Sequence, residues 1–236
     1  IGTSRHPERF SPQTLPHPER FCICSLDLTD SRSIRALPET TGPLDIIIHN
    51  AGISQAGAGE DADPDRVNEL FRINFFGIME LNRCYLPMMR QSGGGTVIVL
   101  NSLASKLPVP YSGIYAASKA AAAAYIRATR MEMKRYGIAL CSVFFDYVRT
   151  TLPQISSGAE SAAHADMVRH VRGIRNEMIA RGHAPEYIAR KVHALCRRRR
   201  LPPGRIIGLR AKSMNLLHQA LLERVVERLI MRRFFP

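Results

Sequence analysis

The chain alternates short apolar runs with amphipathic stretches, and this restricts its fold more than any other feature. Runs at 21–26, 44–48, 96–100 and 138–145, with a weaker one at 205–208, are rich in Ile, Val, Leu or Phe. Short continuous apolar runs are what strands buried on both faces of a parallel sheet look like. Helices are expected between them. One spans 30–37 with Asp30 as its cap, and a long one runs from Asp63-Pro64 to about Arg90, proline suiting a first turn. Gly93-Gly94-Gly95 closes that region. Another helix opens at Ser112 or Gly113 and runs to about Tyr136, where Gly137 ends it. Repeated strand–helix–strand order predicts the α/β class: a Rossmann-type doubly wound parallel sheet in three α/β/α layers. The length of 236 residues suits a single domain over 1–236.

Two segments depart from that alternation. Residues 153–182 begin polar, with Ser156-Ser157-Gly158, and continue as a helix whose Met167, Val168, Val171, Ile174, Met178 and Ile179 form one apolar stripe. The segment follows a strand's carboxyl end, where open α/β sheets bind ligands, so a substrate-covering lid is expected there. An ordinary surface helix pair is the alternative. Residues 211–236 are expected to form an amphipathic helix with a stripe of Leu216, Leu217, Ala220, Leu221, Val225 and Leu229. Packing on the sheet or on a second subunit explains it. Arg224, Arg228, Arg232 and Arg233 leave open a peripheral membrane contact through a basic helix.

The formal charge of +13 allows nucleic acid, an anionic membrane surface or an anionic cofactor as partner. Much of the excess lies late, in Arg197-Arg198-Arg199-Arg200 and Arg232-Arg233, without the interleaved aromatics of a single-strand binder, so no nucleic-acid partner is expected. Five cysteines show no metal-type pairing. Cys22 and Cys24 share a strand face and are not a CxxC motif, so reduced core thiols in a cytoplasmic protein are expected, with no metal site. No apolar stretch has membrane-spanning length, and no apolar core follows a basic start at residue 1, so neither a membrane span nor a secretory leader is expected.

The chemistry centres on Tyr115-Ala116-Ala117-Ser118-Lys119. Tyr and Lys four apart at a helix start lie on one face. An ammonium near a phenol favours the phenolate and lowers its pKa, and a tyrosine so tuned exchanges a proton with an alcohol or ketone. Ser102 follows the run at 96–100, at a strand's carboxyl end, where it can hydrogen-bond a carbonyl oxygen. Upstream, 45–48 leads into His49-Asn50-Ala51-Gly52, a strand entering a small-residue turn, and Asn74 sits inside the long helix.

Asn-Ala-Gly after a strand, a mid-helix Asn, a Ser after the next strand and Tyr-x-x-x-Lys together resemble the short-chain dehydrogenase/reductase family. The similarity covers about residues 1–151 and resumes at 197–235, like the C-terminal tails of lipid- and steroid-active members, the hydroxysteroid dehydrogenases among them. The resemblance implies roles. Tyr115 is the general acid/base. Lys119 lowers its pKa and holds the nicotinamide ribose, and Ser102 orients the substrate oxygen. Asn74 holds, through its backbone, a water linked to Lys119. Asn50, Ala51 and Gly52 line the adenosine side, Asp27 and Leu28 contact adenine, and Val148 and Thr150 contact carboxamide and phosphate. Arg5, where an acidic residue would bind the ribose hydroxyls of NAD, suits a 2′-phosphate, so NADP is expected over NAD. The implied reaction interconverts a secondary alcohol and a ketone or aldehyde on a hydrophobic steroid-, retinoid- or lipid-like substrate. The helices over 64–90 and 113–136 imply a homodimer or homotetramer.

The family opens with a strand and a Thr-Gly-x-x-x-Gly-x-Gly turn that carries the pyrophosphate, and no stretch of this sequence fills that role. Gly57-Ala58-Gly59 follows the Asn-Ala-Gly turn instead, and Gly93-Gly94-Gly95 precedes a strand. A sheet whose first β-α unit is missing is expected, with two strand edges facing a gap, and with it a truncated gene product or an incomplete gene model. A catalytically impaired fragment acting as a binding or scaffold protein is the alternative function. Phe145-Asp146 replaces the family's Pro-Gly, which places a carboxylate where it would repel a nearby phosphate, and His49 stands where Asn is common.

Overall fold

The computed structural model describes residues 1–11, 13, 15, 17–156, 161–221 and 223–235. Residues 157–160 of the expected lid, with Ser157 and Gly158, and residues 222 and 236 of the expected tail lie outside them. Eight strands are present among these residues: β1 (Gly2–Ser4), β2 (Ile23–Ser25), β3 (Ile46–His49), β4 (Ser54–Ala56), β5 (Gly95–Ser102), β6 (Ile138–Phe145), β7 (Gln154–Ser156) and β8 (Gly204–Ile206). The α-helices are α1 (Ser31–Thr41), α2 (Pro64–Phe71), α3 (Gly77–Gln91), α4 (Gly113–Met133), α5 (Ala165–Ala180), α6 (Pro185–Cys196), α7 (Leu209–Ala220) and α8 (Glu223–Phe234).

All strand pairs are parallel. The main sheet has the order β3-β5-β6-β8, while β1-β2 and β4-β7 form separate two-stranded ladders. Side chains alternate across β5 as the pleat requires. Val97 and Val99 pack with Ile138 and Leu140 of β6, with Ile78 and Met89 of α3, and with Ala122 and Ile126 of α4. Ile98, pointing the other way, joins Cys141 and Val143 under Ile188, Val192 and Leu195 of α6. Helices thus cover both faces, giving the three α/β/α layers and the Rossmann-like architecture. No described strand lies between β1 and β3. Both border a cavity of about 430 Å³, whose walls include Gly2, Thr3, Ile46, Ile48, Leu81 and Tyr85. On β3, Ile46 and Ile48 are 41% and 45% exposed.

Three expectations change. The long helix from Pro64 is interrupted by a π-helical turn at Arg72–Phe76, with Asn74 buried inside it. Such turns occur often at functional sites. The tail is not one helix: Leu221 adopts an extended backbone (φ −97°, ψ 151°), separating α7 from α8. Its expected stripe is not buried either, since Leu216, Leu217, Val225 and Leu229 are exposed, and Ala211, Val226 and Phe234 carry the packing. Helix α6 was not expected, although Pro185 at its start and Ile188, Val192 and Leu195 spaced on one face mark it.

The expected lid helix is α5, with Val168 and Val171 fully buried. It is tied to the loop after β4. Asp61 accepts from the Ser161 amide and hydroxyl, both at 3.0 Å, and His164 meets Glu60 at 2.7 Å and the Tyr111 hydroxyl at 3.1 Å. Tyr111 has φ 58°, the one positive value among the described non-glycine residues, just before α4. Strained backbone of this kind clusters at functional sites.

Candidate active site

The start of α4 and the ends of β3, β5 and β6 converge on one cavity of about 630 Å³. It is lined by Asn50, Ala51 and Gly52 after β3, Tyr115 and Lys119 of α4, and Val148 and Thr150 after β6. Seven of the expected site residues therefore share one space. Tyr115 and Lys119, one turn apart, face it together as their spacing requires. Ser102, the last residue of β5, lies with Tyr115 on a smaller adjoining cavity of about 140 Å³. Its hydroxyl accepts from the Ala104 amide at 3.1 Å.

Asn101 fixes this corner. Its amide nitrogen donates to the Lys119 carbonyl at 3.1 Å and its amide oxygen accepts from the Ser102 backbone at 2.8 Å. One buried side chain thereby locks the serine-bearing strand end to the lysine-bearing helix turn. The neighbouring Ser118 accepts in turn from the Asn74 amide nitrogen at 3.0 Å. Neither Asn101 nor Ser118 was singled out in the sequence, since a polar residue beside a motif carries no periodicity of its own.

The electrostatics correct one expectation. The Tyr115 phenol is raised above its ordinary pKa, because burial outweighs the Ser102 hydroxyl and the Arg175 guanidinium, which both pull it down. A cation that pulls the phenol down is the Arg175 guanidinium. Burial also lowers the Lys119 ammonium to about 8. Among the described residues its Nζ donates to the Leu100 carbonyl, at a long 3.4 Å. A neutral phenol and a weakly held ammonium therefore stand side by side on the cavity wall.

Asn74 is fully buried, and its side chain does the visible work. The oxygen accepts from the Ile53 amide at 3.0 Å, and the nitrogen donates to the Ile53 carbonyl at 2.9 Å and to Ser118 Oγ at 3.0 Å. These bonds clamp the Asn-Ala-Gly turn onto the helix pair. Gly52 packs closely there: a Cβ would lie 3.2 Å from both Asn74 Oδ1 and Lys119 Nζ. His49, the other departure, is buried with Nε2 2.9 Å from Asn82 Oδ1, and burial lowers it to about 4, so the imidazole is neutral.

The residues expected at the far end of the cofactor are not part of the large cavity. Arg5 follows β1 and Asp27 follows β2. Burial pushes Asp27 up, but the Thr29 amide and hydroxyl, with the charges of Arg5 and His6, outweigh it and leave the carboxyl below its usual range. Leu28 lines the cavity between β1 and β3, together with Asn50 and Ala51. Asp146 lies 3.5 Å from His183 and 3.9 Å from Arg210.

Arg175 of α5 was missed, although it continues the buried positions 168 and 171 at helical spacing. It is 8% exposed. Its Nη1 donates to the Gln55 carbonyl and to Ser112 Oγ, both at 3.3 Å, and its Nη2 to Ser54 Oγ at 2.8 Å. It lines the smaller cavity with Ser102 and Tyr115.

A family profile described as short chain dehydrogenase matches residues 5–160. Dehydrogenase/reductase SDR family member 7B of Bos taurus is 30% identical over 177 residues, 73% of this chain and 52% of that protein. NADPH-dependent 1-acyldihydroxyacetone phosphate reductase of Schizosaccharomyces pombe is 29% identical over 168 residues, 69% of this chain and 55% of that protein. The chain spans about half the length of these curated relatives. A crystal structure of a short-chain dehydrogenase from Streptomyces avermitilis superposes with a TM-score of 0.83 at 26% identity, covering 99% of this chain and 86% of that one.

Proposed function

The chain belongs to the short-chain dehydrogenase family, and from that premise we propose that its site reduces a ketone or aldehyde on a lipid-like substrate with NADPH. Family membership supports an NAD(P)-dependent oxidoreductase. The observation that carries the finer reading is the buried Tyr115–Lys119 pair on one cavity wall with Ser102 beside the phenol.

The wall residues fit a nicotinamide nucleotide. Lys119 Nζ is buried, and of its three donors one is matched, by a distant carbonyl, so ribose hydroxyls can take the rest. A nicotinamide cofactor supplies the hydride, and the protein supplies position and proton. Ser102 is placed to donate to the substrate oxygen and hold it toward Tyr115. With its pKa raised, the Tyr115 phenol keeps its proton at neutral pH and donates it as negative charge develops on that oxygen. Asn74 and Asn101 position these groups. The choice of NADP is supported by Arg5 and by the NADPH-dependent relative, and a lipid-like substrate by that relative's acylated ketone and by the apolar walls around Leu107, Val109 and Ile179.

Homodimers or homotetramers through α2–α4 are proposed on the strength of Phe76 and Met131, apolar side chains left 37% and 69% exposed there. Peripheral membrane contact is proposed for the tail, whose exposed leucines lie among arginines. Five free cysteines suit a cytoplasmic setting.

The test is NADPH binding followed by carbonyl-dependent NADPH oxidation, with Tyr115→Phe as control. Turnover that vanishes in the variant supports the reading. Tight NADPH binding without turnover on any ketone supports a binding or scaffold protein instead. Indifference of turnover to the substitution would rule out this site as its source.

A further inference from the structure

Arg175 is a buried cation whose visible partners are all neutral. Its guanidinium meets one backbone carbonyl and two serine hydroxyls, which occupy three of its five N–H donors. Among the described residues no carboxylate lies within ion-pair distance of it. Burial lowers its proton affinity, and the groups that act on its charge are Tyr147, Tyr115 and Arg172. A guanidinium taken out of water without a counter-charge is an unfavourable arrangement unless a partner arrives.

The place where a partner would arrive is the smaller cavity. Arg175, Ser54 and Ser112 line it together with Ser102 and Tyr115. Its one carboxylate, Asp146, is turned to Arg210 and His183. Four wall residues, Leu107, Val109, Tyr147 and Met214, also line a neighbouring cavity of about 230 Å³ between α5, α7 and α8. That second space is bounded by Met178, Leu217, Val226 and Leu229, with Arg210 and Arg233 at its wall. The combined space offers a proton donor, a cation and an apolar recess.

We propose that Arg175 receives an oxyanion, phosphate or carboxylate, on an amphiphilic carbonyl substrate whose carbonyl meets Ser102 and Tyr115 and whose apolar chain lies against α7 and α8. Guanidinium suits this task because its paired N–H groups match the oxygens of either anion. The anion supplies the charge that the surrounding serines and carbonyl lack. The assignment rests on the carbonyl-reductase reading of the same site and narrows its substrate class.

Two measurements test it. In the first, NADPH oxidation is followed with ketones of matched chain length, one neutral, one carrying a carboxylate and one a phosphate ester, for the wild type, R175Q and R175K. The wild type is expected to prefer an anionic ketone over the neutral one in kcat/KM by roughly 10- to 100-fold, mostly through KM. R175Q collapses that ratio toward unity, and R175K retains part of it. Which anionic ketone is preferred distinguishes phosphate from carboxylate. In the second, calorimetry measures binding of the same anionic ketones without NADPH. Tighter binding to the wild type than to R175Q, weakening with added salt, supports the assignment even if nothing is turned over, the outcome that would sink the reductase reading alone. If R175Q does not fold, the salt dependence of the wild type and the R175K ratio decide. Equal use or binding of neutral and anionic ketones by the wild type, or an anionic preference that survives in R175Q, overturns it.

Discussion

Strand β5 has a different neighbour on each side, and the two sides differ in how finished they are. Toward β6 and α4, strands β5 and β6 pair along their whole length, the core is fully buried, and Asn101, Asn74 and Ser118 make buried hydrogen bonds. Toward β3 and the β1–β2 pair, the sheet stops, isoleucines are exposed, and a cavity separates two strand edges. The residues proposed to handle the proton all belong to the first region. Arg5, Asp27 and Leu28, expected at the far end of the cofactor, belong to the second. On the proposed function, chemistry at the carbonyl would therefore depend on the closed region, and affinity for the adenosine half of a cofactor on the open one.

The largest effect should come from the closed region. Tyr115→Phe removes the proton donor and leaves the packing, so kcat should fall by about 10²–10⁴ while thermal unfolding and NADPH affinity stay close to wild type. A comparable loss of cofactor affinity would show that the two regions are not separable in this way.

The next effect tests the packing itself. Ile98 is fully buried on β5, and Ile98→Ala should destabilise the protein by about 2–5 kcal/mol in chemical denaturation, through lost burial and the cavity left behind. A cost below about 1 kcal/mol would mean that the closed region is loosely packed.

How much of this was readable beforehand follows the same division. The runs at 96–100 and 138–145 were legible because a strand buried on both faces is apolar throughout, and Tyr115, Lys119 and Ser102 because their spacing is fixed by one helical turn and one strand end. The α6 helix was passed over because its three buried positions lie between basic residues that read as surface. Arg175 was invisible for a related reason: an arginine on a lid helix looks solvated until the fold turns it inward. One turn of spacing also says nothing of burial, which raises the Tyr115 phenol and lowers the Lys119 ammonium. The π turn around Asn74 leaves no sequence periodicity to detect.

A smaller effect distinguishes function from stability inside the closed region. Lys119 has a folded pKa of about 8 against an ordinary value of 10.5. The unfolded chain therefore binds more protons between those pH values, so stability rises with pH across that window, and below pH 8 the whole penalty of burying the charge is present. Lys119→Met removes that charge. It should abolish turnover yet raise stability at pH 7 by about 1–2 kcal/mol, after allowing for the lost bond to Leu100. The gap should close as pH approaches 10.5. Urea unfolding at about pH 7 and about pH 10 measures it, and a variant less stable than wild type at the lower pH would contradict the sign.

The smallest effect is the most direct comparison of the two regions. Ile48 and Ile98 are the same residue type, paired in register on adjacent strands, yet Ile98 is fully buried and Ile48 is 45% exposed. Because stabilisation follows the apolar area removed from water, Ile48→Ala should lose less than about 1 kcal/mol, a fraction of the loss at Ile98. Paired denaturation curves of the two variants give the ratio directly. A loss at Ile48 equal to that at Ile98 would mean that in solution the β3 edge is covered, and that the cavity between β1 and β3 is filled by apolar structure. Thermal unfolding of Ile48→Ala at increasing protein concentration then separates the sources. A midpoint that rises with concentration places a second copy against the edge, and an unchanged midpoint places the cover within the same chain.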